Sequence, residues 1–97
     1  FARAYVRGKV NLKAWGRLKI KQGLQLKQIS APLIRNAMTE IDAGEDFARL
    51  ESILNKKNAV ISEENIYKRK NKLARYALGR GYESNLIWVA VGGILED

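Results

Sequence analysis

RLKIKQGLQLKQISAPLIRNAMTEI (residues 17–41) and KNKLARYALGRGYESNLIWVAVGGI (residues 70–94) are one pattern read twice, 53 residues apart and without a gap. At that shift Ile20 meets Leu73, Leu33 meets Leu86, Ile34 meets Ile87, Ala37 meets Ala90, Met38 meets Val91 and Ile41 meets Ile94. Amphipathic helices can share such positions by chance. The charges agree as well: Arg17 with Lys70, Lys19 with Lys72, Lys27 with Arg80. Solvent-facing charges have no packing reason to agree, so the pattern points to duplication of a unit of about 50 residues. Units this small bury little apolar surface alone, and the two should lean on each other.

Apolar spacing is helical throughout, with no run of strict alternation. Ala2, Tyr5 and Val6 stand at i, i+3, i+4, which places an opening helix at the chain start. A second helix is expected from Trp15 to about Gln28 on Leu18, Ile20, Leu24 and Leu26. Ser30 caps the third and Pro32 fits its first turn, where a missing N–H costs nothing. That helix carries Leu33, Ile34, Ala37, Met38 and Ile41, and Gly44 ends it as a left-handed cap or turn. The fourth runs from about Glu45 to Lys57 on Phe47, Leu50, Ile53 and Leu54. Ser62 is the expected N-cap of the fifth, with Glu63 and Glu64 in its dipole-favoured first turn. Ile66, Tyr67, Leu73, Ala74, Ala77 and Leu78 should face inward until Gly79 and Gly81 stop it. The sixth begins near Ser84. The expected fold is therefore all-α, a tandem repeat of two three-helix modules, 1–44 and 45–97, forming an elongated helical array. Leu33, Ile34, Ala37 and Ile41 should centre one core, and Leu86, Ile87, Ala90 and Ile94 the other.

The 97 residues carry 18 Lys and Arg against 10 Asp and Glu, a net charge of +8, with no cysteine or histidine. This composition excludes disulfides, zinc fingers, thiol nucleophiles, imidazole bases and Ser-His-Asp triads. Residues 1–39 hold nine bases and no acid; residues 40–64 hold seven acids and three bases; residues 65–97 hold six bases and three acids. A small basic protein commonly has a polyanionic partner, nucleic acid first. No stretch of about 18 apolar residues is present to span a membrane, and no signal peptide is indicated. The chain starts at Phe1, which reads as a processed product or a fragment.

Catalysis has little support. Glu63–Glu64 reads as a dipole complement and not as an acid/base pair. Gly79-Arg80-Gly81 ends a helix instead of opening one, the wrong polarity for a phosphate loop. No metal site and no cofactor are expected. The helix–turn–helix geometry of residues 17–41 would place only Arg35, Asn36, Thr39 and Glu40 outward, and its counterpart Trp88, Gly92 and Gly93; neither is a base-reading face. The two strings RLKIKQGLQLKQIS (17–30) and KRKNKLARYALGRGY (68–82) carry most of the positive charge. They nominate Arg17, Lys19, Lys21, Lys27, Lys68, Lys70, Lys72, Arg75 and Arg80 as binding residues, with Lys68, Lys72 and Arg75 on one helical face at i, i+4, i+7. The matched cations should make two similar patches, and replacing Lys72, Arg75 and Arg80 together with glutamine should weaken binding without unfolding the domain. Trp15 and Trp88 are expected in apolar packing.

At these strings the chain resembles the bacterial RecX family of RecA regulators. KLARYALGRGYESNLI (72–87) resembles the family's last module through Leu73, Tyr76, Leu78, Arg80, Gly81, Tyr82, Leu86 and Ile87. LKIKQGLQLKQISAPLIRNAM (18–38) resembles the preceding one through Ile20, Leu24, Lys27, Ile29, Ser30, Leu33, Ile34 and Ala37, and FARAYVRGKV (1–10) looks like the first helix of a middle module. Two departures stand out: Gln28 where the family usually has glycine, and Gly23 where it often has glutamate. Both should lower the stability of the first unit without altering the fold. Family members usually have a further module upstream. The resemblance implies a cytoplasmic, non-enzymatic, monomeric regulator of recombination, DNA repair and the SOS response. Its partners would be the RecA recombinase filament and single- or double-stranded DNA, with no membrane and no small-molecule substrate. It would bind in the groove of the RecA–DNA filament and inhibit strand exchange and ATP hydrolysis. The competing reading is a general basic nucleic-acid-binding protein without recombinase specificity, whose inhibition would need enough protein to cover the DNA.

Overall fold

In a computed structural model that describes residues 1–95, the regular structure is all helical and no strand occurs among those residues. The helices are α1 (Ala2–Gly8), α2 (Arg17–Leu26), α3 (Ala31–Met38), α4 (Ala43–Val60), α5 (Ile66–Gly79) and α6 (Ser84–Leu95), with a π-helical turn at Lys9–Lys13 after α1. The molecule measures 45 × 23 × 22 Å, the elongated outline expected of two units laid end to end.

Each unit has its own core. In the first, α1 and α2 pack on α3 and bury Val6, Ile20, Leu24, Ile34, Ala37, Met38 and Ile41. In the second, α4, α5 and α6 pack mutually and bury Leu50, Ile53, Leu54, Leu73, Ala74, Ala77, Tyr82, Ile87, Ala90 and Val91. The 53-residue register appears in the backbone: α3 starts at Ala31 and α6 at Ser84. The turns before them close alike, with the N–H of Ile29 donating to Leu24 O and that of Tyr82 to Ala77 O. Burial follows the same register at Ile20 and Leu73, Leu24 and Ala77, Ile34 and Ile87, and Ala37 and Ala90.

Local chemistry moves several boundaries. The cap of α5 is Asn65, not Ser62: its side-chain oxygen accepts from the N–H groups of Tyr67 (3.0 Å) and Lys68 (3.1 Å). Asparagine outcompetes a more distant serine because its carbonyl reaches two of the orphan donors of the first turn. Glu63 and Glu64 therefore precede the helix, and the Glu63 carboxylate accepts the Asn65 N–H at 3.2 Å. Gly44 does not end α3. It lies in the first turn of α4, whose cap is Asp42, accepting the Glu45 N–H at 2.9 Å. The helix α3 stops at Met38, where the Thr39 hydroxyl bonds back to Asn36 O.

The apolar stripes are narrower than their spacing suggests. Leu33 is 56% exposed, and Leu86 and Ile94 are half-buried, so Ile34, Ala37, Ile41, Ile87 and Ala90 centre the cores without them. Leu18, Leu26, Ile66, Tyr67 and Leu78, which also fit the stripes, stay exposed. Trp15 is half-buried against the first core, whereas Trp88 is exposed on α6.

Candidate anion-binding faces and the junction between units

The units meet where the turn after α5 plugs the N-terminal end of α2. The first N–H groups of a helix have no intrahelical acceptor, and the last carbonyls of another have no donor. Here each satisfies the other. The Gly16 N–H donates to Arg80 O (2.7 Å) and the Leu18 N–H to Gly81 O (2.9 Å). Side chains add to the seam. Lys19 Nζ donates to Gly79 O (3.2 Å), an Arg80 Nη to Lys13 O (2.8 Å), and the Tyr82 hydroxyl to Ala14 O (2.9 Å). The approach requires glycine on both sides. A Cβ on Gly16 would stand 2.6 Å from Gly81 O, and one on Gly81 would stand 2.5 Å from the Lys19 backbone nitrogen. Gly81 also adopts φ +92°, the left-handed region that favours glycine.

Behind the seam lies a buried polar chain. Asp46 accepts from Arg49 at 2.7 Å, and Arg49 Nε donates to the Tyr82 hydroxyl at 3.2 Å. Burial pushes the Asp46 carboxyl above its ordinary range, and the Arg49 and Arg17 charges hold it back. Burial also raises the Tyr82 phenol, so its hydroxyl stays protonated as the donor to Ala14 O.

These contacts divide the nine nominated cations. Lys19 lies over the Trp15 ring, 4.8 Å from its centroid, as well as on Gly79 O. Lys27 lies over Tyr5 and Phe1, at 5.7 and 6.0 Å. Arg80 stacks on Tyr76 at 5.1 Å and donates to the Tyr76 hydroxyl at 3.0 Å. Lys72 pairs with Glu63 at 3.4 Å. Sequence-matched cations thus sit in different surroundings in the two units: Lys19 grips a backbone carbonyl where Lys72 meets a carboxylate, and Lys27 rests on rings where Arg80 crosses to the other unit. Replacing Arg80 with glutamine removes part of the seam, so the triple glutamine variant is not neutral for stability. Arg17 and Lys21 line a hollow with Arg35 and Glu83. Lys70 is half-buried along α5.

Lys68, Lys72 and Arg75 remain together on the outward face of α5, around shallow hollows they share with Lys57 and Tyr76. Lys57 comes from α4 and lies 5.0 Å from the Tyr76 centroid. It is not among the cations nominated from sequence, because Lys57 reaches Tyr76 only through the packing of α4 on α5. The backbone N–H of Asn65 holds Glu63 below its usual carboxylate range, helped by Lys72, so this acid, the one lining these hollows among the described residues, is ionised near neutral pH. Lys57, Lys72 and Arg75 border Tyr76 while Lys68 joins Lys72 and Arg75 in the neighbouring hollow beside Glu63, a net positive face suited to phosphate oxygens or carboxylates.

Family models for the second and third three-helix domains of RecX match residues 1–38 and 44–91, in the order and spacing of the two units. The chain belongs to the RecX family. A regulatory protein RecX from Clostridium acetobutylicum is 32% identical over 101 residues, an alignment that takes in the whole of this chain and 44% of that protein. The chain thus spans less than half the length of that RecX relative. No solved structure matches it. Among the described residues no helix is long and apolar enough to cross a membrane.

Proposed function

We propose that this chain acts as a regulator of homologous recombination, binding the RecA–DNA filament and restraining recombinase activity as a binder and not as a catalyst. The observation that carries the reading is the match to the second and third RecX domains over most of the chain. The α5 face supports it physically. Lys57, Lys68, Lys72 and Arg75 offer cations to a polyanion, and the elongated 45 Å body suits a groove. In this reading the two modules, 1–44 and 45–97, lie along the filament as one unit, and the contact is a monomer on filament.

The test is a titration into RecA on single-stranded DNA, with ATP hydrolysis followed at fixed DNA. A filament regulator inhibits well below the amount needed to cover the DNA. A general nucleic-acid binder inhibits only near saturation, and that result would replace this reading. Changing Lys68, Lys72 and Arg75 to glutamine should weaken binding and reduce its salt dependence, since each phosphate neutralised releases counterions. Their side chains project from α5 outside the seam, so stability should change by about 0.5 kcal/mol or less.

A further inference from the structure

Joining the units creates a second concave surface that neither unit has alone. One wall is the outward stripe of α2, with Leu18, Lys21, Gln22 and Gln25 at i, i+3, i+4 and i+7. The other is the end of α5 and the turn that follows it, with Leu78 and Tyr82. Leu18 and Leu78 are each 50% exposed, from different units and from positions that the repeat does not equate.

The chemistry of this groove differs from that of the α5 face. Of its two lysines, Lys19 is engaged by Gly79 O and the Trp15 ring, which leaves Lys21 as the cation without a hydrogen bond or ion pair among the described residues. A phosphate backbone needs a track of several cations. Two half-exposed leucines and two primary amides suit a peptide instead. Apolar side chains can be buried against the leucines, and each glutamine can both donate to and accept from a peptide backbone. No carboxylate lines the groove among the described residues, and the first 39 residues of the chain contain no acid at all. The charge complement of such a wall is acidic.

We infer that the groove between α2 and the end of α5 holds an acidic peptide segment bearing an aliphatic side chain, supplied by the recombinase protein itself. This rests on the filament reading above, and it separates the work of two surfaces. The α5 face meets the polyanion; the junction groove meets protein. Because the groove exists only while the seam is closed, recognition of the recombinase also depends on the fixed orientation of the two units.

The test compares two probes by fluorescence anisotropy: a RecA filament assembled on oligo-dT with a non-hydrolysable ATP analogue, and the same oligo-dT bare. The double variant Leu18→Gln, Leu78→Gln changes two half-exposed side chains outside both cores. It should bind the filament about tenfold more weakly while its affinity for bare oligo-dT stays within about twofold. Equal losses on both probes would make the groove a nucleic-acid surface and overturn the inference. Unchanged binding to the filament would overturn it while leaving the filament reading intact. If the wild-type chain binds the filament no better than the DNA within it, the filament reading fails and this inference with it. A second measurement keeps the native leucines. The chain has no cysteine, so Gln22→Cys places a single thiol in the groove. Filament should slow its alkylation by maleimide by about fivefold, because access controls thiol reaction, and bare oligo-dT should not. Equal protection by the two probes, or none by the filament, would again overturn the assignment.

Discussion

Gln28 shows how much a single residue of the repeat can carry. Its φ is +60°, in the left-handed region, where the matched residue Gly81 has +92°. A side chain there costs about 1–2 kcal/mol, while the extra freedom glycine loses on folding costs about 0.5–1 kcal/mol. Gln28→Gly should therefore stabilise the protein by about 0.5–1 kcal/mol, read as a rise in the denaturation midpoint without a change in slope. A fall would show that the glutamine side chain holds the turn. Gly23 is the opposite case. A Cβ there would run into the Tyr5 hydroxyl, so the glycine that weakens α2 also seats α1. Replacing it with a better helix former should not stabilise the first unit. Glu63 sets the acid response of the α4–α5 connection. Its pKa is depressed from 4.5, chiefly by the Asn65 N–H. A group depressed in the folded state adds stability above its unfolded pKa and loses it as pH falls through the folded value. Glu63→Gln should accordingly flatten the decline of melting temperature on acidification below about pH 4.5. Asp46 works in the other direction. Its raised pKa means that the charged form costs the folded state, and protonation on acidification relieves that cost.

At the scale of the helix, much could be read from the chain and some could not. Six helices in two sets of three followed from apolar period and charge register, because burial of a 3.6-residue stripe is the same physics in both units. Which leucine closes a stripe did not follow. Leu33 and Leu78 satisfy the period as well as Ile34 and Ala77, and only the direction of approach of the neighbouring helix decides between them. Caps showed the same ambiguity: Ser62 and Asn65 are both good capping residues, and Glu63 bonded to the Asn65 N–H goes with the later start. The basic face of α5 was legible at Lys68, Lys72 and Arg75, since i, i+4, i+7 is fixed by helix geometry. Lys57 was not, because it arrives through tertiary packing from α4. Nor was the use of Arg80, which sequence places beside the others and the fold sends across the seam. A direct check of the stripe is Ile87, fully buried where α6 meets α4 and α5. Ile87→Ala should cost about 2–5 kcal/mol in chemical denaturation, and a shift below about 1 kcal/mol would remove it from the core.

The whole molecule is two small cores held in one orientation by a seam whose polar groups come from both. Ala14 belongs to the first unit yet packs against the second core, and Tyr82 belongs to the second core yet donates to Ala14 O. The seam is thus continuous with the second core, and loosening it should disturb the orientation of the units before either unit unfolds. Tyr82→Phe keeps the buried ring and removes the hydroxyl, leaving Ala14 O without its donor and Arg49 Nε without its acceptor. Losing hydrogen bonds at partly buried groups costs about 1–3 kcal/mol, which corresponds to roughly five- to hundredfold in a local opening equilibrium. The Gly16 and Leu18 amides donate across the seam and report that opening directly. In Tyr82→Phe their hydrogen exchange should accelerate by about fivefold or more, while Leu24 and Leu54, buried deep in α2 and α4, should exchange nearly as in the native protein. Uniform acceleration everywhere would mean that seam and cores open as one cooperative unit. In that case the two units would have no independent stability, and their orientation could not change without unfolding.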